Sequence, residues 1–386
     1  MNLLLTFSLN ISLKVWDNIG ILDREIQLYN RLSEEGFDIT FLTYGTKSDL
    51  GYSNLLDKIR VIPIKLFLKK KKMGFFATLL FPFFHYNLFK NTKIIKTNQM
   101  YGSWITWILK ILFRKKLVIR CGYELYKNTI HEYKNLSSYR ISYLRLVFIY
   151  LVEFISYKIA DHIIISNNVE KNFIIKHFKI NPKKITVIPN IIDVDIFRPL
   201  NIEKKKKSVL FIGRLNEYKN LENLIEAFTY LKDFSLDIIG QGKSEKNLKE
   251  RVEKLNLQSR VKFLGIFPNF RLPEIINQHE IFILVSNMEG NPKVLLEAMS
   301  CGIACIGSNI PSINQIINHK RTGYLTDLDS KSIAEAIKFT SENDKIRKII
   351  GKNARDYVIN HNTLNKILKQ EIAIYKTLLE KNKTPK

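Results

Sequence analysis

The stretch Ile281-Phe282-Ile283-Leu284-Val285, followed by Ser286-Asn287-Met288-Glu289-Gly290-Asn291-Pro292 and then by Lys293-Val294-Leu295-Leu296-Glu297-Ala298-Met299-Ser300-Cys301-Gly302, decides the fold. Five apolar residues in a row, without polar alternation, suit a strand covered on both faces. Asn291 is a good N-cap and Pro292 suits a first helical position, so a helix is expected from Pro292 to about Ser300, stopping near Gly302. Strand, loop and helix in that order make one unit of a parallel sheet.

The same alternation runs outward through all 386 residues. In the first half the apolar runs are Leu3–Phe7, Ile39–Leu42, Arg60–Ile62, Ile94–Ile95, Leu117–Ile119, Ile163–Ile165 and Ile185–Ile188. Helical patterns lie between them, such as Ile21–Glu35, Trp104–Phe113 and Tyr143–Lys158. In the second half the runs are Ser208–Ile212, Leu236–Ile239, Val261–Leu264, Ile281–Val285 and Ala304–Ile306. Two such series, without hairpin signals, predict an α/β chain of two doubly wound, Rossmann-like domains facing across a cleft. Pro189-Asn190, Pro199 and the charge run Glu203–Lys207 mark the join. The expected divisions are 1–199, 200–362 and a C-terminal helix and tail, 363–386, placed to pack back on the first domain.

Three cysteines, Cys121, Cys301 and Cys305, make no disulfide framework, and no Cys/His spacing suggests structural zinc. The segment Met73–Phe89 is the best candidate for a membrane span. It is short and carries Pro82, His85 and Asn87, so no transmembrane helix is expected. The N-terminus lacks the positive region of a signal peptide and reads as a buried strand.

Lys and Arg number 61 against 36 Asp and Glu, for a net charge of +25. Biased base composition accounts for part of this excess. Its distribution is uneven, however, because fifteen cations and no acid fall between Asp57 and Glu124. That block also holds Phe75-Phe76 and Phe81-Pro82-Phe83-Phe84. Cations beside exposed aromatics suit an anionic membrane surface, at about 1 kcal/mol per well-placed cation. Nucleic acid is the other anionic partner to weigh.

Ligands of doubly wound sheets bind beyond the carboxyl ends of the strands. There the start of the helix after Asn291 offers free N–H groups to a phosphate, around Gly290 to Lys293. Glu289 and Glu297 are placed to accept hydrogen bonds from hydroxyls, and a capped surface helix with two solvated glutamates is the alternative. Gly213-Arg214-Leu215-Asn216-Glu217-Tyr218-Lys219-Asn220 ends the strand Ser208–Ile212, where Arg214 and Lys219 bring two cations to neutralise a diphosphate. Ile239-Gly240-Gln241-Gly242-Lys243 is half of a dinucleotide fingerprint, either a backbone contact to a nucleotide or a plain tight turn. Asn18-Ile19-Gly20 reads as another strand-to-helix turn.

Together these residues resemble glycosyltransferase family 4 (glycosyl transferase group 1), whose fold is the two-domain GT-B. The resemblance runs nearly end to end, through Leu32–Thr40, Val187–Asp193 with Phe197, Gly213-Arg214-Leu215 with Lys219-Asn220, and the E-x7-E pair Glu289 and Glu297 followed by Ala298–Gly302. It implies that Arg214 and Lys219 hold a donor diphosphate, helped by Gly213 and by backbone groups around Gly290, Asn291 and Lys293. It further implies that Glu289 binds the donor sugar's hydroxyls, Glu297 those of the ribose, and that Gly20 lets the N-terminal loop approach the phosphates. The implied reaction is retaining transfer of a sugar from a nucleotide-diphosphate sugar, with no cofactor and no metal. The acceptor would be a saccharide or lipid-linked, as in surface polysaccharide synthesis. The implied place is cytoplasmic, peripheral on the inner face of the membrane, with Lys69–Lys72, Phe75-Phe76 and Arg114-Lys115-Lys116 against the lipid.

Where many members carry a histidine after the strand Leu117–Ile119, this chain reads Arg120-Cys121-Gly122-Tyr123-Glu124, and Arg120 or Glu124 is the candidate replacement. It carries Ile19-Gly20 where many have Gly-Gly, and Pro292 removes one backbone N–H. None of the seven histidines suits catalysis, and His131 reads as solvated. Competing readings are a nucleotide-sugar epimerase of the same architecture, a basic nucleic-acid-binding protein and an inactive scaffold. The two placed glutamates and the lack of a nucleic-acid motif speak against the second.

Overall fold

A computed structural model describes residues 1–68, 74–122, 124–135 and 143–380, without the side chains of 131–135. Lys69–Lys72, Tyr123 and the His131 side chain therefore lie outside the described residues. The chain divides into two compact units: Met1–Ile188 with the segment from Asn365, and Pro189–Leu364.

The first unit is built on a seven-stranded sheet. Its strands are β1 (Asn2–Thr6), β2 (Asp38–Thr43), β3 (Arg60–Pro63), β4 (Ile94–Thr97), β5 (Lys116–Cys121), β6 (His162–Ile165) and β7 (Ile185–Val187). They lie in the order β3-β2-β1-β4-β5-β6-β7, and every pairing is parallel. Leu3, Leu4, Leu5, Ile94, Ile95, Leu117, Val118 and Ile119 are buried, as expected of strands with helices on both faces.

The second unit carries a six-stranded parallel sheet in the order β10-β9-β8-β11-β12-β13. Its strands are β8 (Ser208–Ile212), β9 (Ser235–Ile239), β10 (Val261–Gly265), β11 (Ile281–Leu284), β12 (Ala304–Ser308) and β13 (Tyr324–Thr326). Strand β13 has no counterpart among the apolar runs of the sequence. It is three residues long, and only Thr326 of the three is buried.

The division falls at Pro189, ahead of the lysine-rich run. Residues after it pack into the second core, where Ile192 and Phe197 are buried. The Ile192 N–H donates to the Asn362 carbonyl (2.9 Å), and the Phe197 carbonyl accepts from Ser300 Oγ (2.5 Å).

The final helix, Leu364–Glu380, belongs to the first unit. Lys96 of β4 and Glu371 of this helix form a fully buried ion pair, with Lys96 Nζ 2.8 and 2.6 Å from the two carboxylate oxygens. Tyr375 donates its hydroxyl to Glu371 Oε2 (2.6 Å), and the Lys96 ammonium lies 5.0 Å from the Tyr29 ring centroid. Two charges out of water hold only while each keeps its partner. Among the described residues, no helix is long and apolar enough to cross a membrane.

Glu371→Ala should therefore destabilise the protein by about 3–5 kcal/mol in urea unfolding, because Lys96 is left buried and unpaired. The double change Lys96→Met, Glu371→Leu should recover most of that loss. A Glu371→Ala midpoint equal to wild type would show that the pair does not anchor the helix.

Candidate functional site

In the second sheet, the order in which successive strands are added reverses between β8 and β11, which lie side by side and parallel. In open sheets of this kind, ligands bind beyond the carboxyl ends of the strands at such a point. Gly213–Asn220 leaves β8 and ends in a 3-10 turn, Glu217–Lys219, before the helix Leu221–Ala227. Residues 285–292 leave β11 and lead into the helix Lys293–Ser300. The Asn287 N–H donates to the Tyr218 carbonyl (2.8 Å), which ties the two loops together.

This tie brings Lys219 and Glu289 into contact. Lys219 Nζ lies 2.5 Å from Glu289 Oε1, and each side chain is about one-tenth exposed, at 10%. Ser286 Oγ donates to the same oxygen at 2.6 Å, while its carbonyl accepts from Ser308 Oγ at the end of β12 (2.6 Å). Ser286 was not among the residues singled out from sequence. A hydroxyl three residues before an acid in one loop is the signal that could have pointed to it. Asn220 follows with φ +57°, a left-handed value asparagine tolerates, and its amide donates to the Leu328 carbonyl (2.8 Å). Arg214 is exposed on the same loop as Lys219, with no side-chain bond recorded among the described residues.

The helix carrying Glu297 begins differently from the expectation. Asn291 does not cap it. Its side-chain oxygen accepts from the Asn190 N–H (2.9 Å), its carbonyl accepts from Asn190 Nδ2 (2.7 Å), and Pro292 is the residue before the first turn. Tertiary pairing with the segment after β7 outcompetes the local cap. Gly290 is buried, Lys293 half-buried and Glu297 buried, so the solvated-glutamate alternative fails for Glu297.

The glycines of Ile239–Lys243 have a packing role. Gly240 has φ +136°, and a Cβ there would lie 1.8 Å from the Gly213 carbonyl oxygen; one at Gly242 would lie 2.2 Å from that of Leu215. Gly213 N–H donates to Ile239 O (2.9 Å) and Leu215 N–H to Gln241 O (3.0 Å). The β9 exit thus supports the Gly213–Leu215 backbone from beside it.

Gly20 lies in the first unit. It is exposed, with φ +68°, and follows a short helix, Leu13–Asn18, so its turn joins two helices where the sequence suggested strand to helix. Glu124 is also placed otherwise than the sequence suggested. It is fully buried, and its carboxylate accepts from the Lys127 N–H (2.5 Å) at the start of the helix Leu125–Asn135. Glu153 accepts from the Leu125 N–H (2.9 Å), and Glu170 from Ser166 Oγ (3.3 Å). Glu124 is thus buried, with one carboxylate oxygen bonded at that helix start. Arg120 is half-buried, with a guanidinium N–H directed at the Ile188 carbonyl (3.5 Å).

Two family models match this chain. The one described as glycosyl transferases group 1 covers residues 193–357, and the one described as glycosyltransferase family 4 covers residues 26–196. The chain belongs to glycosyltransferase family 4, group 1, and has the GT-B fold. It is 31% identical over 252 residues to UDP-Gal:alpha-D-GlcNAc-diphosphoundecaprenol alpha-1,3-galactosyltransferase of Escherichia coli, over 60% of this chain and 64% of that protein. It is 27% identical over 224 residues to N-acetyl-alpha-D-glucosaminyl L-malate synthase of Bacillus anthracis, over 54% of this chain and 58% of that one. The chain thus spans somewhat under two thirds of these relatives' lengths. In fold it resembles sucrose-phosphate synthase from Thermosynechococcus elongatus (TM-score 0.80, 19% identity, 98% and 99% of the two chains). It also resembles Anabaena HepE solved with UDP (TM-score 0.77, 16% identity, 98% and 100%).

The buried carboxyls generate a pH prediction. Burial pushes the Glu170 carboxyl up to about 7 and raises those of Glu124 and Glu153. A raised folded-state pKa gives stability present at low pH and lost as pH rises through the folded value. Thermal stability should therefore fall as pH rises from about 4.5 to about 7, with Glu170 contributing up to about 3 kcal/mol. Glu170→Gln should flatten that slope, and an unchanged slope in the variant would contradict the assignment.

Proposed function

We propose that this protein transfers a sugar from a nucleotide-diphosphate sugar to a saccharide or lipid-linked acceptor, with retention at the anomeric carbon and without a metal. The observation that carries the reading is the hydrogen-bonded chain Ser286–Glu289–Lys219 at the exit of β8 and β11. Phosphate oxygens need a cation, and sugar hydroxyls need an acceptor; here both stand within one bond of each other.

Lys219 has three N–H donors. One satisfies Glu289, which leaves the others for the donor's diphosphate. Arg214, exposed on the same loop, is the second cation and can close on the phosphates from solvent. Ser286 fixes the Glu289 carboxylate, whose remaining lone pairs accept from hydroxyls of the transferred sugar. Glu297 takes the ribose hydroxyls, and the backbone from Gly290 to Lys293 meets the phosphate side.

In retaining transfer, the sugar–phosphate bond lengthens as the acceptor oxygen attacks from the same face. The leaving phosphate oxygen takes the acceptor's proton, so no separate base is needed. Charge builds on the diphosphate, where Lys219 and Arg214 act. No carboxylate pair of glycoside-hydrolase type is called for. Support comes from the Escherichia coli relative, named for a diphosphoundecaprenol acceptor, and from the fold neighbour solved with UDP. A lipid-linked acceptor places the enzyme at the cytoplasmic face of an anionic membrane, in surface polysaccharide synthesis.

Thermal-shift screening against UDP-sugars should find a stabilising donor, worth about 2.7 kcal/mol at 100 times its dissociation constant. Arg214→Ala and Glu297→Ala should lose that shift, and Arg214→Ala should cost about 10²–10³ in transfer rate. NMR of the first-formed product should show the donor's anomeric configuration. An inverted product, or full shifts in both variants, would overturn the reading.

A further inference from the structure

The helix Phe75–Phe84 of the first unit carries Phe76, Leu80, Phe83 and Phe84 at spacings i, i+4, i+7 and i+8, which is one face of a helix. All four are exposed, Phe76 at 73% and Phe84 at 71%. The opposite face is fixed. Phe81 and Thr78 are buried, and Trp104 donates its indole N–H to Thr78 Oγ1 (2.8 Å). The helix therefore cannot roll to hide its phenylalanines. The neighbouring helix, Ile105–Ile111, ends in Ile111 and Leu112, which are exposed as well.

Apolar side chains standing together on a surface mark a partner, whereas scattered ones do not. Charge identifies this one. No acid falls between Asp57 and Glu124 in the sequence. Lys110 and Lys116 share Asp161, but exposed Lys90, Lys93 and Arg114 make no ion pair among the described residues. A second copy of this face would bring like charges together, whereas an anionic bilayer offers both a countercharge and an apolar interior. Aromatic rings are suited to that boundary.

We propose that the outer face of helix Phe75–Phe84 inserts into the interface of an anionic lipid bilayer and docks the first unit there. This deepens the membrane part of the reading above. The docking itself requires no sugar transfer, so the two can fail separately.

The test uses the full chain with vesicles of phosphatidylcholine, with and without phosphatidylglycerol. Wild type should co-sediment with the anionic vesicles and bind neutral ones weakly. The triple variant Phe76→Ser, Phe83→Ser, Phe84→Ser should bind anionic vesicles about tenfold less or weaker still, with an unchanged thermal melt. All three native cysteines are buried, so Phe84→Cys can be labelled selectively with an environment-sensitive dye. Its emission should shift to the blue on anionic vesicles. Undiminished binding by the triple variant, or a dye that stays in water while the protein binds, would overturn the proposal. So would a wild-type dimer that the triple variant abolishes, because the stripe would then be a self-interface.

Discussion

An ammonium and a carboxylate 2.5 Å apart, each largely shielded from water, set what the loops of the second unit can hold. Neither charge is cheap to keep there alone, and each stabilises the other. The pair exists because two loops from adjacent strands are tied by a backbone bond from Asn287 to Tyr218, and because the glycines after β9 let the Gly213 backbone settle closely beside them. Remove the close approach at Gly240, and the β8 loop has to move. The chemistry therefore rests on a packing feature one strand away.

The parallel sheet explains why these residues meet at all. Every strand in each unit points the same way, so every loop that follows a strand opens on the same edge. Between β8 and β11 the connections turn in opposite senses, and the edge is left open there. Arg214 and Lys219 lie on one of the loops there, and the other leads into the start of the helix Lys293–Ser300. The first unit repeats the arrangement between β1 and β4, where Lys96 is committed to Glu371 and the last helix.

Much of this was legible in the sequence. Twelve of the thirteen strands stand out as apolar runs, because parallel strands covered on both faces need no polar alternation. β13 does not, being short and only partly buried. That Arg214, Lys219, Glu289 and Glu297 lie on the segments following β8 and β11 was legible because position relative to a strand end is local in sequence. What escaped was non-local. Asn291 reads as a cap until Asn190, 101 residues away, claims its side chain. Glu124 looks available until Glu153 and Glu170 appear beside the same helix start. Lys96 and Glu371 are 275 residues apart, and no pattern in either neighbourhood announces the pair.

The central claim is that Lys219, as presented by Glu289, grips a diphosphate. Titration calorimetry of UDP against uridine tests it most directly, since the two ligands differ only in the group Lys219 would touch. The account predicts that wild type prefers UDP by a wide margin and that Lys219→Met removes most of that margin while leaving uridine binding unchanged. Equal preference for UDP in the variant and in wild type would contradict it.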